Sequence, residues 1–128
     1  GAALTLGTNR CGEFTITCRM EGRDYLPGTN EMALGRDVMK RPLFVQTCRA
    51  GDRLKLPGSR GRRSVKRLCA DGGIGPGERD TLPAFYVGES LAAVWPLGVD
   101  EEFQPRETDG ERIIIQIKRE IAGGYSNG

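Results

Sequence analysis

The chain contains no histidine, and that absence removes more chemistry than any other feature of its 128 residues. Without an imidazole there is no Ser-His or Cys-His nucleophile pair, and a common protein ligand for zinc is missing. The four cysteines, Cys11, Cys18, Cys48 and Cys69, are irregularly spaced with no C-x-x-C pair, which does not suit a metal site. Cys18 and Cys48 fall in strand-like patterns and Cys69 on a helix face, so the thiols are expected to be reduced and to pack as small apolar groups. No apolar run reaches the roughly 18 residues needed to cross a bilayer, and Gly1-Ala2-Ala3-Leu4 has neither the basic start nor the apolar stretch of a signal peptide. The expectation is one globular, cytoplasmic domain without membrane association and without a metal or cofactor of its own. Gly1 in place of Met fits a domain taken from a longer protein.

Net charge is only +2, but the charge is not spread evenly. Seven of the 19 Lys and Arg residues, Arg53, Lys55, Arg60, Arg62, Arg63, Lys66 and Arg67, lie in a stretch that contains no acid. The rest of the chain is net acidic. Aromatic residues are scarce, and none lies between residues 45 and 84.

Hydrophobic period divides the chain into strands and one main helix. Phe14, Ile16, Cys18 and Met20 alternate with polar residues as a half-buried strand, followed by a turn at Glu21-Gly22-Arg23. Residues 24 to 41 hold Pro27, Gly28, Asn30 and Gly35 with little periodicity and read as loop. Leu43 to Cys48 resumes as a strand. A helix is predicted from about Arg62 to Asp71, with Val65, Leu68 and Cys69 as its buried stripe and Gly72-Gly73 as its stop. Ala84 to Val87 and Ser90 to Val94 form a hairpin across Gly88-Glu89, which Trp95 to Val99 extends past Pro96. A last hairpin is predicted at Asp109-Gly110, with Glu111 to Lys118 as its second arm. The class is α+β: a compact, strand-rich domain of mixed or antiparallel sheets with one main helix. Residues 1–37 read as an N-terminal strand and linker without an assigned role, 38–120 as the domain proper and 121–128 as a flexible tail.

No catalytic set emerges from these residues. Asp100, Glu101 and Glu102 read as a solvated turn, and Gly58-x-x-Gly61 lacks the Gly-Lys-Ser/Thr ending of a phosphate-binding loop. The basic stretch from Arg53 to Arg67 is the functional candidate, set against the bland alternative of a well-solvated face. A Gly-rich loop entering a helix N-terminus favours phosphate. A cationic surface without aromatic stacking platforms suits duplex shape and phosphates better than single strands. Arg79 either joins that surface or pairs locally with Asp80. The competing reading is a protein-interaction or interdomain docking module whose basic patch meets an acidic partner.

The ordered set from Leu43-Phe44-Val45-Gln46-Thr47-Cys48-Arg49-Ala50-Gly51-Asp52-Arg53-Leu54 through Pro57-Gly58, Gly61 and Val65-Lys66-Arg67-Leu68 to Ile74, Pro76, Arg79 and Pro83 resembles the C-terminal domain of tRNA(Ile)-lysidine synthetases. Gly88-Glu89-Ser90-Leu91-Ala92-Ala93-Val94-Trp95-Pro96-Leu97-Gly98 is similar to that domain's closing hairpin. The resemblance covers roughly residues 38 to 100 and departs at Gln46, where the family usually has arginine, and at Gly72-Gly73 and Gly77, which loosen the loop after the helix. It implies a sheet-plus-helix fold also likened to a domain of the β subunit of phenylalanyl-tRNA synthetase. It further implies that the domain grips the tRNA(Ile) acceptor stem, and that a catalytic N-terminal domain of the same protein uses ATP and Mg2+ to ligate lysine to the wobble cytidine. The Ser-Gly-Gly-x-Asp-Ser loop of that catalytic domain does not occur here. By matching position, Arg53, Lys55, Arg60, Arg62, Arg63, Lys66, Arg67 and Arg79 would be the RNA contacts.

Overall fold

Alternating side chains bury one face of a strand, and two such strand sets facing each other make the core of this molecule. A computed structural model describes residues 2–120. In chain order the strands are β1 (Ala2–Leu4), β2 (Gly7–Cys11), β3 (Phe14–Gly22), β4 (Glu31–Gly35), β5 (Leu43–Thr47), β6 (Arg53–Leu54) and β7 (Arg63–Ser64). Helices α1 (Val65–Asp71) and α2 (Pro76–Arg79) follow, then β8 (Pro83–Val87), β9 (Ser90–Val94), β10 (Gly98–Val99) and β11 (Glu111–Arg119). Short 3-10 turns occupy Arg36–Lys40 and Glu101–Phe103.

Three antiparallel sheets result, in the orders β1-β5-β8-β9-β10, β2-β3-β11-β4 and β6-β7. Phe14, Ile16 and Cys18 of β3, Met32 and Leu34 of β4 and Ile113, Ile115 and Ile117 of β11 meet Val45, Phe85, Val87 and Ala93 of the five-stranded sheet. Burying each of these large apolar side chains contributes about 2 kcal/mol. The other face of the five-stranded sheet carries a second cluster, in which Ala84, Tyr86, Leu91 and Val94 pack against Leu54 of β6 and Val65 and Cys69 of α1. Strand β8 is therefore buried along its whole length. The ribbon and α1 form a third layer, and the basic stretch lies on it.

Strands β3, β5, β8 and β9 stand where the period places them. Gly88 takes the left-handed conformation (φ 60°) in the β8–β9 turn, as Gly73 (φ 77°) does just past α1. All four cysteines are free thiols, with Cys18 and Cys69 buried and Cys11 and Cys48 half-buried. Burial pushes the Cys18 thiol up to about 11. Burial, reinforced by the nearby Asp52 carboxylate, pushes Cys48 up to about 12.

Several expectations are corrected. The stretch 24–41 is not mainly loop, because β4 pairs with β11 from Arg112↔Gly35 to Gln116↔Glu31. Within residues 1–37, where one strand and a linker are expected, the expected strand is β3, in register with all of β11, and the rest adds β1, paired with β5, and β2, paired with β3. No hairpin forms at Asp109-Gly110. Arg106 and Asp109 do close a turn there, the Arg106 N–H donating to the Asp109 carboxylate at 2.9 Å. Both partners of β11, however, come from far earlier in the chain, and local turn chemistry carries no information about them. Trp95 to Leu97 form a turn rather than an extension, and β10 doubles back on β9. The predicted tail over 121–128 lies outside the described residues.

Candidate nucleic-acid interface

Two residues on each side make the ribbon: Arg53 opposes Ser64 and Leu54 opposes Arg63. Because side chains alternate, Leu54 is buried in the second cluster while Arg53 faces out. The helix begins at Val65, not Arg62, so Arg62 and Arg63 belong to the loop and strand before it. Ser64 caps α1 by accepting from the Arg67 N–H at 3.1 Å, and the Val65 N–H donates to the Asp52 carbonyl at 2.9 Å. Those first-turn amides are spent within the protein, and α1 has only seven residues. Two amides of the helix terminus expected to attract phosphate are thus already committed, and the cationic side chains carry the surface.

Their neighbours sort those cations into two groups. Arg62 is paired, its Nη1 3.2 Å from Oδ2 of Asp100. Lys55 Nζ lies 2.5 Å from Glu101, Arg67 Nε 3.4 Å from Asp71 and Arg79 Nε 3.7 Å from Asp80. Arg53 donates only to the Arg62 carbonyl, at 3.1 Å. Among the described residues, Arg53, Arg60, Arg63 and Lys66 have no acid within ion-pair distance, and all four are exposed. In a pair the local field is largely cancelled before a ligand arrives; in the second group it is open to solvent.

A shallow depression lined by Gly51, Arg53, Arg62, Arg63, Ser64 and Arg67 brings four of the eight predicted residues together. An adjoining cleft, sharing Gly51 and Ser64, is lined by Cys48, Arg49, Asp52, Lys66, Arg79 and Asp80. Lys55 and Arg60 line neither. Lys55 is turned toward Glu101, and Arg60 stands on the β6–β7 loop.

Two participants escaped the sequence reading. Arg49 lies over the ring of buried Tyr86, 4.8 Å from its centroid, with its backbone N–H donating to Asp52 at 2.8 Å. The Tyr86 hydroxyl also donates to Asp52. Burial, and then that carboxylate, push the phenol well above its usual range. Arg49 thus continues the cationic rim toward Lys66 and Arg79; its place just before the Ala50-Gly51-Asp52 turn was the available signal. The second is Asp100. It is 1% exposed, not the solvated acid expected, and no signal in its own neighbourhood marks it out.

The arrangement offers exposed cations for a polyanion. Among the described residues no three of His, Cys, Asp and Glu converge as metal ligands. The one buried carboxylate beside the basic surface, Asp100, is already taken up by Arg62 and two backbone amides. No helix among these residues is long and apolar enough to cross a membrane.

The family model described as TilS substrate C-terminal domain matches residues 43–115. A tRNA(Ile)-lysidine synthase of Symbiobacterium thermophilum is 32% identical over 124 residues, 95% of this chain and 25% of that protein. A tRNA(Ile)-lysidine synthase of Pseudomonas aeruginosa is 40% identical over 83 residues, 64% of this chain and 18% of that protein. The chain thus spans about a quarter or less of the length of these relatives. The crystal structure of a TilS C-terminal domain superposes with a TM-score of 0.69 at 21% identity, covering 92% of this chain and 90% of that one. At that identity the likeness shows the fold. Covering 92% of this chain, it extends well beyond the family match over residues 43–115.

Proposed function

The chain belongs to the TilS substrate C-terminal domain family, and from that premise we propose that it grips the acceptor stem of tRNA(Ile) through the RNA phosphates. In this reading a catalytic domain elsewhere in the same cytoplasmic protein uses ATP and Mg2+ to ligate lysine to the wobble cytidine. This chain supplies substrate positioning and no chemistry. The observation that carries the reading is the group of exposed, acid-free cations, Arg53, Arg60, Arg63 and Lys66, on one layer of an otherwise net-acidic chain. Arg62, Arg67, Arg79 and Lys55 surround that group, their charge partly answered by neighbouring acids, and Arg49, over the Tyr86 ring, extends the positive rim.

The side chains favour a duplex. A-form RNA presents phosphates and 2′-hydroxyls on a regular surface, and arginine forks match phosphate oxygens in pairs. Base stacking would need exposed aromatic rings, and none lies between residues 45 and 84. Such contacts hold and orient a stem while leaving its sequence largely unread.

Binding of the chain to an acceptor-stem minihelix across a salt series tests this. Each phosphate contact should contribute roughly 0.7 to 0.9 to the log-log salt slope, so the four acid-free cations predict a slope near −3. Single-stranded RNA of equal length should bind more weakly. If the minihelix does not bind but the catalytic domain of the longer protein does, the surface is an interdomain docking site.

A further inference from the structure

We propose that Asp100 is a positioning residue for the basic surface: its buried carboxylate fastens both stems of the arginine-bearing β6–β7 loop and so sets where the cations stand. The proposal rests on the RNA-binding reading for its consequence, but the fastening itself is a matter of geometry. Oδ2 of Asp100 accepts from the backbone N–H of Lys55 at 2.8 Å, on the outgoing stem, and from Nη1 of Arg62 at 3.2 Å, on the returning stem. Oδ1 accepts from the Glu102 N–H at 3.0 Å. The residue is anchored in turn, because its own N–H donates to the Ala92 carbonyl of β9 at 2.7 Å and the Glu101 N–H donates to the Lys55 carbonyl at 2.7 Å.

The loop between these stems has little else to define it. Residues 56–61 include Pro57, Gly58 and Gly61, and Gly58 takes a left-handed conformation (φ 85°). A two-residue ribbon such as β6–β7 is too short to hold such a loop by itself. Leu56 gives one apolar footing, its Cδ2 lying 3.3 Å from the place a Cβ on Gly98 would occupy. Beyond that, the stems are joined by the Arg53 side chain, which donates to the Arg62 carbonyl at 3.1 Å, and by one carboxylate oxygen of Asp100, which ties them to the sheet below. Arg62 is 52% exposed while Asp100 is 1% exposed, so the pair couples a buried anchor to a solvent-facing guanidinium. Preorganising cations in this way lowers the ordering cost of binding.

Electrostatics alone predicts the opposite effect of losing Asp100, since deleting an acid beside a cationic surface should tighten a polyanion. That difference in sign is the test. Using the 128-residue chain and a short RNA duplex, compare Asp100→Ala with Glu101→Gln, which removes the same charge from the exposed partner of Lys55. Glu101→Gln should bind about twofold tighter, whereas Asp100→Ala should bind about tenfold weaker. Backbone amide exchange should accelerate from Lys55 to Arg62 in Asp100→Ala, with β8 and β9 unchanged. Should Asp100→Ala fail to fold, Asp100→Asn carries the comparison: it keeps an acceptor for Lys55, loses the ion pair, and should weaken binding about threefold. Asp100 variants that fold, bind as tightly as wild type or tighter and leave loop exchange unaltered overturn the proposal. If the wild-type chain does not bind duplex RNA, the functional reading fails, while loop exchange still decides whether Asp100 holds the stems.

Discussion

On the outer face of the four-stranded sheet, Arg19 donates to Glu21 at 2.7 Å, to Glu31 and the Tyr25 hydroxyl at 2.6 Å each, and to Gln116 at 3.0 Å. On the β6–β7 layer, Arg53 finds only a backbone carbonyl, and Arg60 and Arg63 find no acid. The same side chain thus serves two purposes. Arg19 is consumed by the fold, closing a network that ties β3, β4 and β11 to the loop bearing Tyr25. The ribbon arginines are left with unspent hydrogen-bonding capacity, as a surface that binds something charged requires. What separates them is the density of acids in their surroundings, not exposure alone.

The largest expected effect comes from breaking the closed network. Arg19→Met leaves Glu31, only 7% exposed, without its guanidinium and should cost about 2 kcal/mol of folding stability. Urea unfolding checks this, and RNA affinity should not change. Next is the open group. Arg53→Ala with Arg63→Ala should leave the urea midpoint nearly in place while weakening duplex RNA binding about tenfold and flattening the log-log salt slope by about 1.4 to 1.8. A double variant that is destabilised instead would erase the distinction between the two regions.

Acid should act on the first region more than the second. Burial would raise the Glu31 pKa, but the Gly28 N–H, the Tyr25 hydroxyl and Arg19 together outweigh it and hold the group down to about 2, against an ordinary 4.5. Because the folded value is the lower one, the stabilisation is complete above about pH 4.5 and is lost as pH falls toward 2. Urea midpoints measured at pH 5 and pH 3 should drop, and the drop should be smaller in Arg19→Met. The smallest effect is expected at Arg67, which Asp71 already partners at 3.4 Å. Arg67→Ala should change RNA affinity by less than about twofold, and titration against the same duplex compares it directly with Arg63→Ala.

Much of this was legible in the sequence, and the limits have a physical pattern. The alternation at Phe14, Ile16, Cys18 and Met20, the Gly88-Glu89 turn and the Val65, Leu68, Cys69 stripe are local signals of which side of an element is apolar, and local order follows from them. Arg62 and Arg63 look helical because they precede that stripe, but Ser64 caps the helix behind them. The run Glu111 to Arg119 could be recognised as a strand, yet its partners are β3 and β4, and no local period names a partner about 90 residues away.

The amino-acid sequence by itself determined that this chain has no imidazole chemistry, that its thiols lack metal spacing, and that seven bases crowd into one acid-free stretch. Only the tertiary structure decided which of those bases remain free. Asp100, Glu101, Asp71 and Asp80 answer four of the predicted cations, and Asp100 and Glu101 come from more than 35 residues along the chain. Composition sets how much charge there is; an ion pair depends on distances of a few ångström, and those exist only once the sheets have packed.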